Sequence, residues 1–166
     1  FAVRNFYNGT SGTELMGKKL GIHAYGNVGR NVARIAKGFG MEVSAYDAFC
    51  RPEDIKAEGV NPTCSVKTLY QSCEMISVHI PLTPETKQVI NKELLELMPK
   101  DAVRDNTARK EVVHEADLLQ HLVDNPKFKY VTDVTPATDE EFKVKVGDRY
   151  FVTATKMAAK PEDATV

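Results

Sequence analysis

Apolar positions along this chain switch repeatedly between short, strand-like runs and longer stretches of helical period. Residues 19–25 (KLGIHAY), 42–46 (EVSAY), 74–80 (EMISVHI), 102–107, 129–134 and 150–153 read as strands. The run at 74–80 is apolar along nearly its whole length, which predicts a strand covered on both faces. Between the first two strands, Val32, Ile35, Ala36 and Phe39 fall at i, i+3, i+4 and i+7, one face of a helix. Gly40 is placed to end that helix. Further helices are predicted at 52–58, opened by Pro52, at 65–72, and at 115–123 with Leu118, Leu119, Leu122 and Val123 inward. Helical turns over 85–98 break near Asn91. Alternating strands and helices imply an α/β fold, a doubly wound parallel sheet of Rossmann type with helices on both faces.

One segment conflicts with this pattern. Arg104 and Asp105 stand side by side where a central strand should be apolar. Either the strand is short, or the two side chains find partners, or the domain is destabilised there.

The chain has 166 residues, 42% hydrophobic and 27% charged, which suits one domain with a sizeable core. Lys and Arg total 22 against 23 Asp and Glu. That balance argues against nucleic acid as a partner. No apolar run reaches the length of a membrane span, and residues 1–12 lack the apolar centre of a secretory signal. Cys50, Cys64 and Cys73 are odd in number and lie at no metal-ligand spacing, so free thiols in a cytoplasmic protein are expected. No pair of histidines has zinc spacing. His23 reads as a core group, His79 as structural at a strand end, His114 as a helix N-terminal residue and His121 as a helix-surface one.

The first strand runs into Ala24-Tyr25-Gly26-Asn27-Val28-Gly29, a G-x-G-x-x-G turn with alanine in place of its first glycine. Gly26 lets the backbone approach a pyrophosphate, Gly29 lets the helix pack on the strand, and the helix N-terminus offers free amides and a positive dipole end. Ala24 is tolerable if its φ stays negative. The second strand ends in Asp47, 18 residues after Gly29, where a carboxylate can accept from both ribose hydroxyls and repel a 2′-phosphate. NAD is therefore expected over NADP.

From this turn onward the chain resembles the cofactor domain of the D-2-hydroxyacid dehydrogenases, nearest to the phosphoglycerate dehydrogenase branch that carries lysine in place of the usual histidine. The resemblance rests on residues 14–21 (ELMGKKLG), 39–43 (FGMEV), Tyr46-Asp47, 77–83 (SVHIPLT) and Asn106-Thr107-Ala108-Arg109. It implies NAD-linked oxidation of a small-molecule 2-hydroxy acid to the 2-oxo acid, with 3-phospho-D-glycerate as the leading substrate. It places the cofactor on Ala24, Gly26, Asn27, Val28 and Gly29 (pyrophosphate), Asp47 (ribose), Ile80 and Pro81 (adenosine side), and Thr107, Ala108, Arg109 and Asp133 (nicotinamide side). Arg109 is also the implied catalytic arginine, a permanently charged fork suited to a 2-oxo acid. Lys156 stands where the family has its histidine, and is the candidate proton shuttle. The family's partner glutamate aligns near Thr138, with Asp139 next along.

The resemblance further implies a crossover segment at 1–17, the NAD domain at 18–158 and a tail at 159–166. The substrate domain lies elsewhere, so the chain alone should not turn over substrate. A homodimer of the full-length parent is expected, with 1–17 and the helix after Gly29 as candidate surfaces. Two alternatives stay open: another dehydrogenase of the superfamily (glycerate, hydroxypyruvate or lactate), and a non-catalytic NAD-sensing dimerisation module. The charged pair at 104–105, and Ala158 where relatives often carry glycine, also admit an altered relative with little function.

Overall fold

The computed structural model describes residues 14–153. Seven strands are present among them: β1 Lys19–His23, β2 Glu42–Tyr46, β3 Asn61–Pro62, β4 Met75–Val78, β5 Val103–Asn106, β6 Lys129–Thr132 and β7 Tyr150–Val152. All pair in parallel, in the order β3-β2-β1-β4-β5-β6-β7. The helices are α1 Asn27–Gly38, α2 Pro52–Ala57, α3 Val66–Ser72, α4 Lys92–Leu95, α5 Glu115–Asp124 and α6 Asp139–Val146. This is the expected Rossmann-type doubly wound sheet. The order reverses between β1 and β4, and crevices for ligands open at the carboxyl ends of strands at such a point.

Two apolar cores lie on opposite sides of the sheet. Leu20, Ile22, Val43 and Ala45 pack with Ala33 and Ala36 of α1 and Ile55 of α2. Ile76, Val78 and Tyr130 pack with Leu69, Tyr70, Leu94, Leu95, Leu118, Leu122 and Phe142 from α3 to α6. Each fully buried Leu, Ile or Phe stabilises the fold by roughly 1.5–3 kcal/mol. Gly21 shows how tightly this face is filled: a Cβ there would lie 2.6 Å from Ile76 Cδ1 on the neighbouring strand and 3.1 Å from Leu69 Cδ1 of α3.

Several expectations are corrected. The buried side of α1 is Gly29, Ala33 and Ala36, whereas Ile35 and Phe39 are exposed. Small residues let α1 lie close to β1, and the bulkier pair turns outward. On α5, His121 is buried and meets Phe128 edge-on at 4.7 Å, while Val123 is exposed. Over 85–98 the expected break near Asn91 is present: turns precede it and α4 follows it, capped by the Asn91 side chain on the Leu94 amide. The edge strand β3 and helix α6 were not anticipated. Their sequences give little signal, since β3 has two residues and α6 (DEEFKVKV) buries only Phe142 and Val146. Gly40 ends the first helix as expected, with φ +72°.

The charged pair resolves into two different outcomes. Strand β5 is short, only four residues. Asp105 finds Ser77 Oγ at 3.3 Å. Arg104 is 0% exposed, and none of its guanidinium nitrogens has a hydrogen-bond partner among the described residues; its nearest support is the Tyr130 ring, 5.8 Å away.

Candidate functional site

The turn after β1 begins with Ala24, whose φ is +79°. The expected negative φ is not adopted. The chain must reverse sharply to carry α1 back over the strand it has just left, and a left-handed residue makes that reversal. For alanine the conformation costs about 1–2 kcal/mol. It is held by the Ala24 amide donating to Tyr46 O at 2.9 Å.

Gly29 fulfils its expected packing role. A Cβ there would come 2.5 Å from the Ala24 carbonyl oxygen and 3.0 Å from Ile22 Cγ2. At Gly26 a Cβ would meet nothing within 4 Å, so the space before the helix is open. The first intrahelical bond runs from the Arg30 amide to Gly26 O, and no side chain caps the helix. The amides of Asn27, Val28 and Gly29 therefore precede the helical ladder, and no acidic residue occupies the first turn. An anion fits such a helix end.

Asp47 joins the two loops that flank this opening. Its Oδ2 accepts from the Tyr25 amide at 2.6 Å, and its Oδ1 accepts from the amides of Phe49 (2.7 Å) and Cys50 (2.9 Å). Burial opposes ionisation, but these three amides outweigh it and hold the carboxyl below its usual range. The carboxylate thus stays charged and faces the glycine turn. Beside it, the Arg30 guanidinium lies 4.9 Å over the Tyr25 ring and pairs with Glu58, which also accepts from Tyr25 Oη.

The other expected contacts come from the carboxyl ends of β4, β5 and β6. Ile80 is buried and Pro81 exposed, at the start of a loop tied by Thr86, whose Oγ1 donates to Pro81 O at 2.7 Å and accepts from the Thr83 amide at 2.7 Å. After β5, the buried Asn106 side chain accepts from the Ala108 amide at 3.2 Å and donates to Arg109 O at 3.4 Å. Thr107 and Ala108 are partly buried in this turn, and the Arg109 side chain is exposed. Asp133 is buried where β6 ends. Thr132 steadies that end, its Oγ1 lying 3.0 Å from Asn106 O and 3.1 Å from Val134 O.

His23 and His79 lie beneath this rim. His23 Nδ1 meets Tyr70 Oη at 3.1 Å, and His79 Nε2 meets Ser77 Oγ at 3.0 Å. Burial lowers both rings to about 4, so both are neutral near neutrality. Thr138 and Asp139 are otherwise engaged: Thr138 Oγ1 donates to Glu115, and Asp139 accepts from Tyr150 Oη at 2.7 Å. Lys156 lies outside the described residues. The side chains of Asn106, Thr132 and Thr86, which shape the loops, were not assigned such roles from sequence. Asn106 sits inside the quoted NTAR motif, which was the available signal. Among the described residues no cluster of His, Cys, Asp and Glu could hold a metal ion, and no helix is long and apolar enough to cross a membrane.

Comparison with known proteins agrees with this geometry. The chain is 36% identical over 132 residues to the hydroxypyruvate reductase of Thermotoga maritima, covering 78% of this chain and 42% of that protein. It is 41% identical over 111 residues to the D-3-phosphoglycerate dehydrogenase of Bacillus subtilis, covering 67% and 21% respectively. The NAD+-bound 3-phosphoglycerate dehydrogenase of Entamoeba histolytica superposes with a TM-score of 0.82 at 36% identity, covering 92% of this chain and 48% of that one. The chain thus spans less than half the length of each. Residues 3–155 match the family described as D-isomer specific 2-hydroxyacid dehydrogenase, NAD binding domain, and the chain belongs to that family.

Proposed function

We propose that this NAD-binding domain serves an enzyme interconverting 3-phospho-D-glycerate and 3-phosphohydroxypyruvate. One observation carries the redox reading: an uncapped helix N-terminus, a charged carboxylate facing it and an exposed arginine all lie along one edge of the sheet. The phosphoglycerate branch is favoured by the likeness to the E. histolytica and B. subtilis proteins. A second substrate reading, hydroxypyruvate, is favoured by the likeness to the T. maritima protein.

In this reading the amides of Asn27, Val28 and Gly29 hold the pyrophosphate, and Gly26 leaves room for it. Asp47 accepts from the adenosine ribose, Ile80 and Pro81 flank the adenosine, and Thr107, Ala108 and Asp133 meet the nicotinamide side. When bound, NAD supplies the hydride acceptor or donor. Arg109 binds the substrate carboxylate with its two-pronged fork and stabilises the alkoxide charge that develops on the reacting oxygen. Asn106 fixes the backbone that carries Arg109. Lys156 is the proposed proton carrier; a carboxylate beside it would raise its pKa and hinder that role, so the loss of the family's glutamate near Thr138 is consistent with a lysine.

Exposed Met16, Ile35 and Phe39 form an apolar surface at and beside α1 that suits a second copy of the chain. The decisive experiment has two parts. Calorimetric titration of this chain with NADH tests the nucleotide site. Rates of the whole protein carrying this domain, measured with 3-phosphohydroxypyruvate, hydroxypyruvate and pyruvate, then rank the substrates. A preference for hydroxypyruvate would replace the phosphoglycerate reading. An unchanged kcat in Lys156→Ala would remove Lys156 from the mechanism.

A further inference from the structure

Strand β5 carries a carboxylate on the same sheet face that leads to the nicotinamide side of the site. Asp105 pairs in register with Ser77 on β4 and with Val131 on β6. Asp133 follows the end of β6, two residues past Val131, and its negative charge acts on Asp105. Ser77 Oγ bridges Asp105 Oδ2 (3.3 Å) to His79 Nε2 (3.0 Å). A polar file therefore runs from partly buried His79 through buried Ser77 to partly buried Asp105, with Asp133 ahead of it.

We infer that Asp105 is a charge-selective residue of the nucleotide site, whose carboxylate favours the oxidised cofactor over the reduced one. The inference rests on the proposed placement of the nicotinamide beside Asp133. The oxidised ring carries one positive charge that the reduced ring lacks. A carboxylate near Asp133 attracts that charge through a medium of low dielectric, and it does nothing comparable for the neutral ring.

The groups around Asp105 set when it is charged. Burial raises its carboxyl to about 6; Ser77 opposes this, the negative charge of Asp133 adds to it, and Arg104 on the opposite face of the strand lowers it. His79 is neutral. Lys129 begins the same face of β6 and is exposed. Asp105 is therefore largely ionised at pH 7.5 and protonated at pH 5.

The test is calorimetric titration of this chain with NAD+ and, separately, NADH, at pH 7.5 and pH 5, for the unaltered chain, Asp105→Asn and Asp105→Val. At pH 7.5 both variants should weaken NAD+ binding on the order of tenfold while leaving NADH binding nearly unchanged. At pH 5 variants and unaltered chain should bind NAD+ alike. Should Asp105→Asn fail to fold, as judged by circular dichroism, Asp105→Val, which restores an apolar strand residue, carries the same comparison. Equal losses for both cofactor forms, or no loss for either, overturn the inference while leaving the nucleotide site standing. Failure of the unaltered chain to bind either form overturns both.

Discussion

The Asp47 carboxylate and the Tyr25 amide lie 2.6 Å apart, and this single bond ties the loop after β2 to the glycine turn after β1. The same carboxylate holds the Phe49 and Cys50 amides, so one side chain organises both walls of the proposed adenosine site. Position 47 is thus structural, and in the proposed function it also meets the ribose.

Asp47→Ala should separate these roles only partly. It leaves three amides near the surface without their acceptor and removes the proposed ribose contact. Stability should fall by about 1–2 kcal/mol, as expected for lost charge-assisted bonds. NADH affinity should fall on the order of tenfold or more, an energy similar to one charge-assisted bond. Urea unfolding and calorimetric titration of the same sample measure both. An unchanged NADH affinity would refute the ribose role.

Ala24→Gly should stabilise the domain. The left-handed φ of +79° is strained for alanine and free for glycine. The greater freedom of glycine in the unfolded chain offsets part of the gain. A net increase of up to about 1 kcal/mol is expected, equivalent to roughly 2–4 °C in Tm for a chain of this size. Differential scanning calorimetry would detect it, and a lowered Tm would show that the turn tolerates alanine without strain.

Arg104→Leu should stabilise it more. The guanidinium is wholly buried beside the Tyr130 ring with no hydrogen-bond partner among the described residues. Removing an uncompensated buried charge and filling the space with an aliphatic side chain should gain on the order of 2–4 kcal/mol. The measurement is the urea midpoint at constant m-value. A loss of stability would mean that the arginine has a partner the described residues do not supply.

Much of the architecture was legible because it follows from periodicity. Strand β2 falls on the expected residues 42–46, and the parallel order follows from strands that alternate with helices. The glycine turn was legible too, since Gly29 tolerates no Cβ against Ala24 and Ile22. Other features depend on tertiary contact. Which face of α1 turns inward was misread because Ile35 and Phe39 outweigh Ala33 and Ala36 in hydrophobicity, whereas the close approach of helix to strand selects the small pair. His121 was placed outside because its type suggests a surface, yet Phe128 supplies it with a ring to pack on. The Asn106 clamp on Ala108 and Arg109 involves near neighbours, but no spacing rule announces it.

Stability should rise with pH between about 4 and 6.5, and the sign follows from three groups. His23 and His79 are lowered by burial to about 4, against an ordinary value of 6.5. In that window the unfolded chain binds more protons at both positions, so their contribution is complete above pH 6.5 and is lost as pH falls toward 4. Asp105 acts oppositely. Its carboxyl is raised to about 6, so the folded state holds a proton that the unfolded state has released, and stability falls as pH rises from about 4 to 6. Two histidines against one carboxyl leave a net positive slope of about 1.4 kcal/mol per pH unit, and His121, also lowered by burial, adds to it. Asp47, held below its usual range, adds a further loss only at more acid pH, below about 4. Urea denaturation at half-unit steps from pH 4.5 to 7 measures the slope. Asp105→Asn should steepen it by removing the opposing group, and a slope that is flat or negative in both proteins would refute the burial of neutral histidines beneath the site.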